Sequence, residues 1–224
     1  MQKLSEIDLC KKLIIYLEAQ GWTIYQEVPL SCGTCDIIAT KKISPFVTLA
    51  WIIEAKKSFS FDVIAQANER KNSAHYVSIF TPHRKSKASK WLVVDFLKYL
   101  GIGYIELNYN NIDIKELIPP KLNRKANYKK TLASLDEKHK TFCPAGSPSP
   151  KTWTPFKAFC ESIENEVKKS PGILLKDLIS KINHKYSSQA GAIASIKFYS
   201  KEGIMKIKII KENKKLRAYP YTNI

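Results

Sequence analysis

The stretch Gly33 to Lys57, GTCDIIATKKISPFVTLAWIIEAKK, decides how this chain is read. It divides into two apolar runs, Asp36-Ile37-Ile38-Ala39-Thr40 and Val47 to Ala55, with Pro45 marking a turn between them. Runs rich in β-branched and aromatic residues on either side of a turn are strand material. With the turn centred on Pro45, Asp36 and Glu54 stand opposite each other in an antiparallel pair, where Cβ atoms come within roughly 4.5–5.5 Å. Side chains alternate along a strand, so Glu54 and Lys56 leave one face while Ile53 and Ala55 take the other. Two carboxyls and an ammonium are therefore expected to converge at the open end of an apolar hairpin. The neighbours Ile37, Ile38, Ile52 and Ile53 imply a mostly buried sheet, where charge is costly unless it has work to do.

The elements around the hairpin follow from periodicity. Ser5 to Gln20 reads as a helix with Ser5 and Asp8 spaced as in a capping box, and Gly21 stops it. Trp22 to Leu30 alternates as a first strand. Ser60 to Ala74 is a second helix with Ser60 as N-cap and Val63, Ile64, Ala67 and Ala74 turned to the core. A strand at His75 to Phe80, a helix at Lys87 to Leu100 and a strand at Gly103 to Leu107 complete the set. The order helix, three strands, helix, strand, helix, strand predicts an α/β fold with a mixed sheet and helices on its faces.

Residues 108–151 change character, with Asn108 to Asn111, Pro119-Pro120, the basic run Lys121 to Lys130 and Gly146 to Pro150. They read as a basic linker with one short helix between domains at 1–107 and 152–224. In the last segment, helices are expected at Trp153–Lys169, Ile173–Asn183 and Ser187–Tyr199. Two strands, Met205–Lys211 and Lys215–Tyr219, then flank a turn at Glu212-Asn213-Lys214. Three helices and a basic hairpin resemble a winged helix, a helix-turn-helix variant. The resemblance implies that Ser188, Gln189, Ser195 and Lys197 enter a major groove and that Lys211, Lys214, Lys215 and Arg217 meet phosphates.

Composition narrows the partner. The formal charge is +17, and basic residues outnumber acidic ones by 14 to 10 over 1–107, 9 to 4 over 108–151 and 14 to 6 over 152–224. An excess that grows toward the C-terminus favours a polyanion over a uniformly lysine-rich surface, and double-stranded DNA ahead of a membrane. No apolar run approaches the ~20 residues of a membrane helix, and the start has no signal-peptide pattern, which points to a cytoplasmic protein. Five scattered cysteines make no disulfide framework. Cys32 and Cys35 have the spacing of half a zinc site, without a second half; His139 and Cys143 would join it only by accident of folding.

Asp36, seventeen residues, then Glu54-Ala55-Lys56, placed at the ends of paired strands after an N-terminal helix, resembles the PD-(D/E)xK phosphodiesterase superfamily of restriction enzymes, junction resolvases and repair nucleases. The likeness covers about residues 5–107; Cys35 stands where the pattern has Pro. It implies a restriction-endonuclease-like αβββαβ core and Mg²⁺, with Mn²⁺ as an alternative, held by Asp36, Glu54 and the carbonyl of Ala55. Lys56 would orient or deprotonate the attacking water. The same resemblance offers Glu6 on the first helix and Gln66 on the second as further site residues, and Glu27 as a supporting one. The competing reading of the trio is a cross-strand salt bridge at a sheet edge. Glu6 reads equally as a first-turn acid favourable to the helix dipole. His75 and His83 read as structural or surface positions.

Two functions follow. The first is a Mg²⁺-dependent DNA endonuclease whose C-terminal domain positions the duplex, acting as a homodimer or with a partner subunit when both strands are cut. The second is a DNA-binding regulator or assembly protein with an inert nuclease-like domain; RNA as substrate is a weaker variant.

Overall fold

The computed structural model describes residues 5–83, 88–108, 113–148 and 152–221, and the chain divides into two compact units, residues 1–153 and 154–224. The first is built on a six-stranded mixed sheet in the order β1-β2-β3-β4-β5-β6. Strands β1 (Thr23–Leu30), β2 (Gly33–Ser44) and β3 (Val47–Ala55) form an antiparallel meander. β4 (Tyr76–Pro82) and β5 (Gly103–Asn108) join β3 in parallel, and β6 (Asp113–Ile118) closes the edge antiparallel to β5. The α/β class and mixed sheet read from the sequence are the ones observed. The crossovers from β3 to β4 and from β4 to β5 run through α2 (Phe61–Arg70) and α3 (Ala88–Leu100). The sequence reading starts this last helix at Lys87, which lies outside the described residues.

Each face of the sheet has its own apolar cluster. Ile38, Ile52, Val77, Ile79 and Tyr104 pack with Val63, Ile64 and Ala67 of α2 and Leu97 of α3. Ile37, Ala39, Trp51, Ile53, Phe80 and Ile105 pack with Leu9, Leu13 and Leu17 of α1 (Glu6–Ala19). Ser5 caps α1 by accepting from the Asp8 N–H at 3.1 Å, and Ser60 caps α2 through the Val63 N–H. The hairpin turns on Pro45-Phe46, with a bulge between Lys42 and Ser44, and pairs Ile37 with Ile53. That register puts Asp36 opposite Glu54, just past the last pair of the two strands.

The segment 108–151 is not a linker. Its described part supplies β6, a short helix α4 (Tyr128–Ala133) and a 3-10 turn (Glu137–Lys140), all within the first unit. Gln26 fastens it twice, donating from Nε2 to the Lys140 carbonyl at 2.7 Å and accepting from the Ala145 N–H at 3.0 Å. His139, buried, accepts from the Asp136 N–H and lies 3.1 Å from the Trp153 carbonyl. Strand β6 escapes a hydropathy reading because Asp113, Lys115 and Glu116 give it the charged surface typical of an edge strand.

The second unit contains α5 (Pro155–Lys169), a two-residue strand β7 (Ile173–Leu174), α6 (Leu175–Lys181), α7 (Gln189–Lys201), β8 (Ile207–Glu212) and β9 (Lys215–Pro220). Its sheet order is β7-β9-β8, and its core is formed by Phe159, Ile163, Val167, Leu178, Ala192, Ile196 and Met205. The helix expected from Ile173 begins two residues later because Ile173 and Leu174 pair with β9. Trp153 falls in the first unit, not at the start of α5, where Thr154 caps and Pro155 fits the first turn. Asn213 and Lys214, with φ of 47° and 62°, make the tight turn between β8 and β9. Among the described residues no helix is long and apolar enough to cross a membrane.

Candidate functional site

The end of the β2–β3 hairpin gathers charge from five elements, α1, β1, β2, β3 and α2. Asp36 Oδ2 accepts from the Ala55 N–H at 2.9 Å and from Lys56 Nζ at 3.1 Å. Glu6, in the first turn of α1, reaches the same ammonium at 3.6 Å. Burial works against the Lys56 ammonium, but Asp36, followed by Glu6 and Glu54, outweighs it and holds the pKa above the ordinary lysine value. The Asp36–Lys56 pair is partly open, with side-chain exposures of 12% and 30%.

Glu54 takes a different partner. Its Oε1 accepts from Arg70 Nε at 3.0 Å, in a pair whose side chains are only 2% and 5% exposed. Arg70 also donates from Nη2 to the Thr34 carbonyl at 3.0 Å. Arg70 thus joins the start of β2, the end of β3 and the last turn of α2. Burial, and next the charge of Asp36, push the Glu54 carboxyl up to about 7 despite that guanidinium.

Glu27 is the fourth carboxyl. It is buried on β1 with φ of 49°, a conformation costly for a residue with a side chain, and its Oε1 accepts from the Gly146 N–H at 2.9 Å. Gly146, itself at φ 79°, packs so close to Glu6 that a Cβ would fall 2.8 Å from the Glu6 carbonyl carbon. Burial first, then Asp36, raise Glu27 to about 7. The segment read as a linker therefore closes over this end of the sheet.

The structure brings Asp36, Lys56 and Glu6 into one contact set and turns Glu54 to Arg70. Gln66 contributes no hydrogen bond to these groups; its Oε1 is buried without a partner among the described residues. The Ala55 N–H donates to Asp36. Arg70 escaped the sequence reading, although position 70 falls on the buried stripe Val63, Ala67, Arg70, Ala74, where an arginine is itself a signal.

As a place for a divalent cation, the donor set is all oxygen and short of positive charge: Glu6, Glu27, Asp36 and Glu54 face two cations, Lys56 and Arg70. Among the described residues no three His, Cys, Asp or Glu side chains close into a ready-made cage. Mg²⁺ is commonly held by one or two carboxylates and its own waters, so Asp36 with Glu54 suits it in chemistry.

The eight residues expected to meet DNA sort into two groups. Ser188 caps α7 by accepting from the Gly191 N–H at 3.1 Å. Gln189 donates to the Lys176 carbonyl at 3.0 Å and to Ser180 Oγ at 3.2 Å. Arg217 donates from Nη1 to the Gly172 carbonyl at 2.6 Å and pairs with Glu212 at 3.6 Å. Lys197, Lys211, Lys214 and Lys215 are exposed, and Ser195 is half-buried on α7. The chain matches no known family model and no curated protein sequence.

Proposed function

We propose that the protein is a metal-dependent DNA endonuclease of the PD-(D/E)xK type, with a winged-helix unit at its C-terminal end that grips the duplex. The observation that carries this reading is the Asp36–Lys56 contact: a carboxylate and an ammonium fixed 3.1 Å apart at a strand end, still open to solvent. In a protein of formal charge +17, an acidic cluster needs a reason, and a phosphodiester approached with a cation supplies one. Asp36 and Glu54 would hold Mg²⁺ or Mn²⁺, which when bound polarises the phosphate and acidifies water. Lys56 orients the attacking water and offsets the charge that develops on the phosphate oxygens. Asp36 holds Lys56 in place, and Glu6 supports it from α1. The exposed lysines of β8, the turn and β9 supply phosphate contacts without base preference.

A second reading, a DNA-binding regulator with an inert first unit, draws on the Arg70–Glu54 pair, because each hairpin carboxylate already has a cation of its own. Incubation of supercoiled, linear and branched DNA with the protein, in Mg²⁺ or Mn²⁺ and in EDTA, separates the two. The nuclease reading predicts nicks or breaks only with metal; binding with every DNA form left intact in both metals favours the regulator.

A further inference from the structure

A second polar pair lies at the same end of the sheet and belongs to none of the roles above. His83 Nδ1 sits 2.8 Å from Glu106 Oε2; the imidazole is 46% exposed while the carboxyl is buried at 4%. The His83 N–H donates to the Leu107 carbonyl at 2.9 Å, so the parallel ladder fixes the residue beyond the end of β4. His83 Nε2 makes no hydrogen bond among the described residues.

Register places this pair beside Lys56. Glu54 is level with Ile79 and Ala55 with Phe80, and the Lys56 N–H donates to the Phe80 carbonyl. Thr81 is therefore next to Lys56, and Thr81 pairs with Glu106. Ile52, Ile79 and Tyr104 share one face, so by alternation Glu54, Thr81, His83 and Glu106 belong to that face too. One strand across and two residues along put the Lys56 and His83 Cα atoms roughly 8 Å apart. Ligands of parallel strands gather at these carboxyl ends.

We propose that His83, oriented by Glu106, is a substrate-binding residue that contacts a backbone phosphate beside the one Lys56 serves; the position of that phosphate rests on the nuclease reading. A carboxylate on Nδ1 fixes the ring and leaves Nε2 as the working atom. Once a phosphate arrives, an imidazolium between it and Glu106 gains a charge-assisted hydrogen bond on each side. On the same face, Thr81 Oγ1 and Tyr104 Oη bond to each other at 2.9 Å.

The chain has four histidines, so imidazole NMR signals can be followed one by one and His83 identified by its loss in His83→Gln. Adding a short DNA duplex in EDTA should move the His83 signal while that of buried His75 stays. In metal, His83→Ala should lower kcat/KM about tenfold, mainly through KM, and Glu106→Gln should follow it in part. A stationary His83 signal with DNA bound, or a His83→Ala enzyme with wild-type KM, overturns the contact, as does failure of the protein to bind DNA at all. A moving signal in a protein that binds but never cuts keeps the contact and removes the nuclease reading.

Discussion

Two ion pairs leave the same hairpin end and have opposite characters. Glu54–Arg70 is sealed beneath α2, tied to a backbone carbonyl as well, and nearly without solvent. Asp36–Lys56 is partly open, and its ammonium is shared with Glu6. A sealed pair in a low-dielectric interior is strong only while both partners are present, because losing one strands a buried charge. An open pair contributes little to stability, yet its groups can reach a ligand. The contrast gives Arg70 a structural part and leaves the ammonium of the open pair, Lys56, free to serve the chemistry proposed above.

Breaking the sealed pair is the largest stability change expected. Arg70→Met should destabilise the first unit by about 3–5 kcal/mol, since Glu54 is left without its cation, and Glu54→Leu in the same chain should recover much of that loss. Denaturant unfolding followed by Trp fluorescence measures both. Equal stability of Arg70→Met and wild type would remove the distinction between the pairs.

The carboxyls give a pH signature. Glu27 and Glu54 are both raised from 4.5 to about 7, so each binds its proton more tightly in the folded than in the unfolded chain. The stability they contribute is full below about pH 4.5 and is lost as pH rises through about 7. In EDTA, the unfolding temperature should therefore fall between about pH 5 and pH 8. Glu27→Gln, which cannot ionise but can still accept from the Gly146 N–H, should flatten part of that fall and melt higher than wild type at the alkaline end. A parallel profile for the variant would show that Glu27 carries no such charge.

The smallest effects belong to the second unit. Lys211→Ala, Lys214→Ala and Lys215→Ala should each weaken DNA binding a few-fold and lower the slope of log K against log salt by about 1. Arg217→Ala should instead loosen the unit with little change of slope, because its guanidinium is occupied by the Gly172 carbonyl and Glu212.

The hairpin register, the Ser5 and Ser60 caps and the two-residue-period strands were legible in the sequence because local pattern determines them. What escaped was set by pairing partners distant along the chain. Gln26 meets Lys140 and Ala145, and Glu27 meets Gly146, across more than a hundred residues, so the closing segment looked like a linker. The positive φ of Glu27 has no signature in a strand that otherwise alternates. Glu54 was placed opposite Asp36 correctly in register, but which cation each would take depended on α2 passing over the end of β3.

The assignment of chemistry to the open pair is tested most directly by single-turnover cleavage of DNA in Mg²⁺ with Lys56→Ala, after matching its unfolding temperature and DNA affinity to wild type. The account predicts metal-dependent cleavage by wild type and a loss of about a thousandfold in the variant; cleavage by the folded, DNA-bound variant at the wild-type rate would contradict it.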